Sequence, residues 1–349
     1  IFGATCAIIL GKKYKVTLFE RHNDLLKEAS WANQYRHHMG YHYPRDPETV
    51  RQIQKDKKDF EKLYNSVIMR DFISYYSVSK KGSYTSAGNF IKFCKKFRLP
   101  YKIGYPAPNL LNPSIMETCL KTSESIYDYE KLKSFVKNRI KKNKNIALKI
   151  NHTVIGAKIG KDGKKILEIL RSGEKTKKEF DYVINATYIN RNKFCRWLKF
   201  PAQLLKFNFK EVNILKFPIK KNIGVTIMDG PFATYLATNT PGIFTFGDVS
   251  LSVHKSKLGH IPNEENWLKS AKTRWLKMRK RCLKWMPILK DAEYIKAMFV
   301  VLPILPEKDE TRGRPTEVAY HGYGCWSILS GKIISCVSAA KKILKDIER

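Results

Sequence analysis

The first twenty residues constrain this chain more than any other stretch. They run from Ile1-Phe2-Gly3-Ala4-Thr5-Cys6-Ala7 to Lys15-Val16-Thr17-Leu18-Phe19-Glu20. Small apolar residues over 4–10 predict a helix, Gly11 breaks it, and alternation over 14–19 predicts a strand ending on an acid. That order is the second half of a βαβ unit of the dinucleotide-binding kind. In the full G-x-G-x-x-G pattern the third glycine lets the helix pack closely on the sheet. The helix N-terminus then faces a pyrophosphate, and an acid about 20 residues on bonds the ribose hydroxyls. Gly3 takes the place of the third glycine, and Glu20 stands 17 residues after it. The first strand and the two leading glycines are absent, which predicts a chain cut just inside its own cofactor motif. A glycine ahead of an apolar helix also arises for packing reasons alone, so the rest of the chain has to decide.

Length and composition bound the alternatives. A chain of 349 residues can bury a large core as two interleaved domains or one large one. No apolar run approaches the roughly 18 residues of a membrane span, and the most apolar stretch, 297–305, is interrupted by Pro303. No signal peptide is visible at the start. The seven cysteines are scattered without a C-x-x-C pair, which argues against a metal site and a disulfide framework and predicts reduced thiols in a cytoplasmic protein. The formal charge of +35 admits nucleic acid, an anionic membrane surface or an acidic substrate as partner. The excess is mostly lysine, dispersed over the whole chain, and charges beyond a Debye length of about 8 Å are largely screened. Nucleic acid is therefore not the expected partner, while peripheral contact with an anionic membrane stays open.

After a polar turn at 21–24 a helical pattern resumes over 25–32. It leads into the densest cluster of chemistry in the sequence: Ser30-Trp31-Ala32-Asn33-Gln34-Tyr35-Arg36-His37-His38-Met39-Gly40-Tyr41-His42-Tyr43-Pro44-Arg45. Three of the eight histidines, three tyrosines and two arginines fall within eleven residues. Such a cluster supplies hydrogen-bond donors, π faces and proton carriers near neutral pH. A surface loop of satisfied histidines is the plainer alternative.

Gly-helix, strand, Glu, a Ser/Asn-containing segment and His38-x-Gly40-x-x-Tyr43, in that order, resemble the FAD-dependent oxidoreductases of the D-amino-acid oxidase and glycine oxidase superfamily. The His-x-Gly-x-x-Tyr piece is most similar to the L-2-hydroxyglutarate dehydrogenase branch. The resemblance implies that Gly3, Ala4, Glu20 and Arg21 bind the nucleotide. It places Ser30 and Asn33 along the diphosphate and ribityl chain, and His38 and Gly40 near the isoalloxazine ring.

Further on, 47–65 reads as an amphipathic helix with Val50, Ile53, Phe60 and Leu63 on one face. Strands are predicted over 72–78, 116–120 and 145–150, helices over 89–97 and 129–141, a loop over 101–113 and a turn over 125–128. A meander follows over 155–159 and 165–171, then a buried strand over 180–187 that ends on Ala186-Thr187. That strand end resembles a second FAD signature of the superfamily, and Val154 resembles the residue whose backbone meets the adenine. Where the family has a glycine after Ala-Thr, this chain has Tyr188. Strands over 207–217, 223–228 and 244–249 belong, by the resemblance, to an antiparallel sheet roofing the substrate, and 267–286 reads as a long basic helix.

Near the end, Arg312-Gly313-Arg314 precedes a glycine-rich turn, and Ser330-Gly331-Lys332-Ile333 opens an apolar helix through Ile343. A turn feeding a helix aims N–H groups and the positive helix end at an anion, worth about 0.3–1 kcal/mol per exposed contact. Gly331, Lys332 and Ile333 resemble the family's terminal Gly-Lys motif, and Arg314 its carboxylate-holding arginine. The implied architecture is α/β (α+β mixed): a Rossmann-like FAD-binding domain over 1–70, 116–200 and 306–349, with an antiparallel-sheet substrate domain over 71–115 and 201–305. The implied activity is oxidation of a C–H bond beside an amine or hydroxyl of a small anionic substrate, with FAD as cofactor. Arg314 would anchor the carboxylate, His38 or His42 would take the proton, and Lys332 would stabilise the reduced ring. Whether oxygen, a quinone or another protein accepts the electrons stays open on the sequence. Two other classes stay open on the residues alone: a basic module for nucleic acid or anionic lipid, and an NAD(P)-dependent dehydrogenase.

Overall fold

The computed structural model describes residues 1–262 and 264–349. Its opening helix spans Phe2–Leu10 and is followed by the strand Val16–Phe19. The helix stops at Gly11 because the next layer is too close for a side chain: a Cβ there would lie 2.6 Å from Ile146 Cγ1 and 2.7 Å from the Ala7 carbonyl oxygen. Val16–Phe19 pairs in parallel with Ile146–Lys149, and Val183–Asn185 pairs in parallel with Cys325–Leu329. Glu317–Tyr320 continues the second sheet antiparallel. Helices Phe2–Leu10, Pro47–Tyr64, Tyr129–Lys141 and Cys336–Ile347 pack together on this layer through Ala7, Phe60, Leu132, Val136, Val337 and Ala340, all buried. Parallel strands covered by helices are the α/β arrangement.

The second layer is a nine-stranded sheet. Val253–Gly259 stands at one edge, followed by Leu205–Lys216, Ile243–Asp248, Ala233–Ala237, Ile223–Met228, Ile73–Ser79, Met116–Thr122 and Tyr101–Ile103, with Glu293–Ile304 also paired to Leu205–Lys216. Its pairs are antiparallel apart from Ile223–Met228 with Ile73–Ser79. Phe217, Tyr235 and Phe244 pack with Trp275, Met278 and Trp285 in its core. The fold is thus mixed α/β, one layer of parallel pairs and helices facing one broad sheet. All seven cysteines are buried and unpaired. Among the described residues no helix is long and apolar enough to cross a membrane, and no group of His, Cys, Asp or Glu could hold a metal.

Several local expectations fail, each for a tertiary reason. Residues 25–32 form turns and not a helix: Leu26 has φ +63, and the carbonyls of Ala29, Ser30 and Trp31 accept from the Asn33 amide and the Tyr35 hydroxyl instead of from a helical ladder. Residues 125–127 are a strand and not a turn, because Ser125–Tyr127 lies between Arg36–His37 and Ile68–Met69. The 180–187 run divides. Glu174–Phe180 completes the meander, and the chain then passes to another sheet as Val183–Asn185. The loop over 101–113 begins as the short strand Tyr101–Ile103.

The basic segment 267–286 is two short helices, Glu264–Lys269 and Trp275–Cys282. Between them Thr273 Oγ1 and the Arg274 N–H turn in to the buried carboxylate of Glu211, which a continuous helix would not permit. The last helix starts at Cys336, after a single 3-10 turn at Ile333–Ser335, because Lys332 is extended and the Gly331 N–H donates to Thr316 Oγ1 at 2.9 Å.

Gly11→Ala should destabilise the chain by about 1–3 kcal/mol through overpacking against Ile146, visible as a lower urea midpoint. Gly88→Ala, where a Cβ meets open space, should leave that midpoint unchanged or raise it.

Candidate active site

Between the two layers lies a hollow of about 1040 Å³. Gly3, Ala4, Glu20, Arg21, Ser30, Asn33, His38, Val154, Ala186, Thr187, Gly331, Lys332 and Ile333 border it, together with His42 and Arg314. Residues that the sequence spreads from 3 to 333 therefore share one wall system. Gly40 does not border it. That glycine has φ +115 and a Cβ there would lie 2.9 Å from Val50 Cγ1, so it turns the chain toward the Pro47–Tyr64 helix.

At one end Gly3 sits in a tight cradle: a Cβ on it would lie 3.3 Å from Ala186 Cβ and 3.7 Å from Leu18 Cδ1. The first turn of the opening helix thus bridges the ends of two separate parallel pairs. Glu20 Oε1 accepts the His22 N–H at 2.9 Å, and Arg21 is engaged by Glu28 and Glu264. Asn33 is occupied by its own loop, accepting from the Tyr35 N–H at 2.6 Å and the Tyr127 hydroxyl at 2.9 Å. Thr187 donates its hydroxyl to Asn185 Oδ1 at 2.6 Å.

The other end is built on a buried ion pair. Arg36 Nη1 donates to Glu124 Oε1 at 3.0 Å and to the Tyr76 hydroxyl at 2.8 Å, while Nη2 donates to Thr226 Oγ1 at 2.6 Å and Thr234 Oγ1 at 2.8 Å. Burial opposes the charge on Arg36, but Tyr76 and Glu124 outweigh it and hold the guanidinium charged. The second oxygen of Glu124 accepts the Met39 N–H at 3.0 Å and stands 3.9 Å from His38 Nδ1.

His38 and His42 are tilted toward each other with ring centroids 6.2 Å apart. Burial, then Lys332 and Arg36, push His38 well below the ordinary imidazole range, and burial with Arg36 and Lys332 does the same to His42. Near neutral pH both rings therefore favour the neutral form. Their Nδ1 atoms and the Nε2 of Gln34 are buried at the hollow without a hydrogen-bond partner. Unpaired buried polar atoms are costly, so three of them on one wall point to a ligand that hydrogen-bonds. Lys332 lies over the Tyr43 ring at 5.0 Å.

No known family profile matches the chain. Its structure is similar to glycine oxidase from Geobacillus kaustophilus, at 10% identity and a TM-score of 0.74 over 99% of this chain and 91% of that one. It is also similar to L-α-glycerophosphate oxidase from Mycoplasma pneumoniae, solved with FAD bound, at 15% identity and a TM-score of 0.75 over 100% and 92% of the two chains. The chain shares its fold with these two solved oxidases. An FAD-dependent monooxygenase of Fusarium mangiferae is 26% identical over 243 residues, which is 70% of this chain and 60% of that relative's length.

Two of the chain's departures from the pattern it resembles acquire a structure. Tyr188 takes φ +54, so the main chain keeps a left-handed turn where the family pattern has glycine, despite the Cβ. Gly331 is demanded by contact: a Cβ would lie 1.9 Å from the Arg314 carbonyl oxygen and 2.5 Å from Pro315. The terminal turn therefore fixes the segment that carries Arg314. Sequence reasoning missed Glu124 and Lys210 as members of the site. Glu124 follows a strand with no motif around it. Lys210 alternates with Phe207 and Phe209 on Leu205–Lys216 and reads as part of a solvated face, although that face borders the hollow.

Glu124→Ala would leave Arg36 buried and unpaired, at a cost of about 3–5 kcal/mol, seen as a large fall in unfolding midpoint. Gly331→Ala should displace the Arg314 segment and weaken ligand binding more than its effect on stability alone explains.

Proposed function

We propose that this chain is an FAD-dependent oxidoreductase that oxidises a C–H bond beside an amine or hydroxyl in a small anionic substrate. The observation that carries the reading is the single hollow running from the Gly3 cradle to the Arg314, Lys332 and histidine wall. An elongated ligand with a nucleotide at one end and a reactive group at the other suits it, and the unpartnered donors and acceptors of Gln34, His38 and His42 suit a polar ring system. In this reading Gly3, Ala4, Glu20, Arg21 and Val154 hold the nucleotide half, and Ser30, Asn33, Ala186 and Thr187 border the middle. Gly331, Lys332 and Ile333 close the far end. FAD would supply the hydride acceptor.

The chain's own residues supply binding and orientation. Arg314 offers a planar fork to a carboxylate, and burial holds its charge down, so an anion is welcome beside it. His38 and His42, neutral at pH 7, would hydrogen-bond the substrate's hydroxyl or amine without adding a further charge to the wall. Either ring, being neutral, has a nitrogen free to accept the substrate's proton. Burial, then Arg314 and Lys210, push the Lys332 ammonium well below its ordinary range, and a negative charge developing beside it would favour its charged form, with Tyr43 beneath it. The division 1–70, 116–200 and 306–349 against 71–115 and 201–305 belongs to this reading; the helix-covered parallel pairs fall in the first set and eight strands of the broad sheet in the second, while the ninth, Met116–Thr122, lies beyond the boundary drawn at 116. Buried, reduced cysteines fit a cytoplasmic setting.

Purified protein should carry flavin absorbance; flavin-free, colourless protein would refute the proposal. Arg314→Ala should raise KM for the substrate by about tenfold or more while flavin content stays near that of the parent, and equal loss of both would remove Arg314 from its role.

A further inference from the structure

Four charged or aromatic side chains meet just outside the Arg314 end of the hollow. Arg45 grips Asp229 with two bonds, Nε to Oδ2 at 2.7 Å and Nη2 to Oδ1 at 2.9 Å. The Tyr84 ring lies between two guanidinium groups, with Arg45 Cζ 5.1 Å and Arg312 Cζ 5.7 Å from its centroid. Arg312 Nη1 also donates to the Gly230 carbonyl at 3.1 Å. None of the four borders the hollow. They stand directly beyond it: Arg45 follows closely on His42, Arg312 closely precedes Arg314, and the charge of Arg312 reaches His42 and Lys210.

These contacts join two separate units. On one side Thr311 Oγ1 donates to Asp46 Oδ2 at 2.9 Å and Arg45 Nη1 to the Glu310 carbonyl at 2.7 Å, which ties Arg45 to the segment 310–312. On the other, the Tyr84 N–H donates to the Asp229 carbonyl at 2.7 Å and Thr85 Oγ1 to Asp229 Oδ2 at 2.6 Å, which fastens the 80–85 loop to the turn after Ile223–Met228. Arg312 is held in left-handed backbone, φ +58, a conformation that persists where surrounding contacts fix it. Between the units the contacts are polar and Tyr84 is 61% exposed, so parting them uncovers little apolar surface.

The substrate end needs a way in. His38 and the Nδ1 of His42 are buried, and burial is the first cause of the shifts at Lys210, Arg314 and Lys332. An elongated cofactor lying from the Gly3 cradle to Lys332 would fill the other approach. We infer that the Arg45–Asp229 pair and the Arg45–Tyr84–Arg312 stack form a gate over the substrate end, which parts to admit a carboxylate and closes behind it. The inference rests on the FAD reading for which end the substrate occupies. Arg312 has no carboxylate partner among the described residues, its bond being to a carbonyl, so the gate presents a cation to the incoming anion. Closure would then keep water from the reacting groups.

The test uses the flavin-loaded protein, with flavin content measured first, so that absence of flavin reports failure of the FAD reading and not of this one. Acetate is mixed with it in a stopped-flow instrument, and its binding and release are followed through the flavin absorbance. Asp229→Asn should speed both association and dissociation about tenfold while Kd stays within about twofold of the parent's. Tyr84→Ala, at an exposed position, should speed both about threefold. Tyr84→Cys with Arg312→Cys, joined by a thiol-cleavable cross-linker, should block exchange of acetate until dithiothreitol cuts the link; the seven native cysteines are buried and stay out of reach. A rise in Kd through faster release alone would make these residues ligand contacts and not a gate. Unchanged rates in Tyr84→Ala and in the cross-linked protein, or a flavin spectrum that acetate does not alter, would likewise overturn the inference.

Discussion

The buried pair of Arg36 and Glu124 is the interaction on which the rest of the site depends. Arg36 belongs to a two-residue strand in the histidine-rich loop, and its guanidinium is shared among Glu124, Tyr76, Thr226 and Thr234 on the broad sheet. Burying such a pair offers little net stability, since desolvation offsets most of the attraction. Its effect is geometric. Five polar groups from five segments satisfy one another only in one arrangement, which pins the loop carrying His38 and His42 against the sheet and leaves the hollow beside it.

Close backbone approach fixes the other walls. Gly3 lets the opening helix touch both Leu18 and Ala186, and Gly331 lets the terminal turn touch Arg314 and Pro315. These contacts join chain segments that are remote in sequence, and a methyl group at either would separate them. Gly11 acts likewise where the helix ends against Ile146. Glycine is used at these positions for lack of a side chain more than for backbone freedom, since none of the three has positive φ.

The polarity of the hollow follows from these walls. At the Gly3 end Arg21 is paired with Glu28, and Glu20 Oε1 accepts the His22 N–H. The Arg314 end holds cations and neutral imidazoles, with its one carboxylate already committed to Arg36. A ligand spanning both ends would therefore meet an ion-paired arginine at one end and basic side chains without acidic partners at the other. The overall charge of +35 gives no hint of this, because most of its lysines are dispersed over the surface and screened.

The sequence by itself determined the helix-strand-acid opening, the Pro47–Tyr64 and Tyr129–Lys141 helices and most strands of the broad sheet, because those rest on local periodicity and capping. It also marked Gly3, Glu20, the histidine cluster and Gly331–Lys332 as residues to be brought together. Where side chains from elsewhere compete with local hydrogen bonds, the pattern misled: Asn33 and Tyr35 unmake a helix at 25–32, and Glu211 divides another at 270–274. Only the tertiary structure decided which face of Leu205–Lys216 meets the hollow, that Gly40 lies outside it, and that the histidines are neutral. Those outcomes depend on which charges and which dry surfaces lie across space from a residue, and its neighbours in the chain do not carry that information.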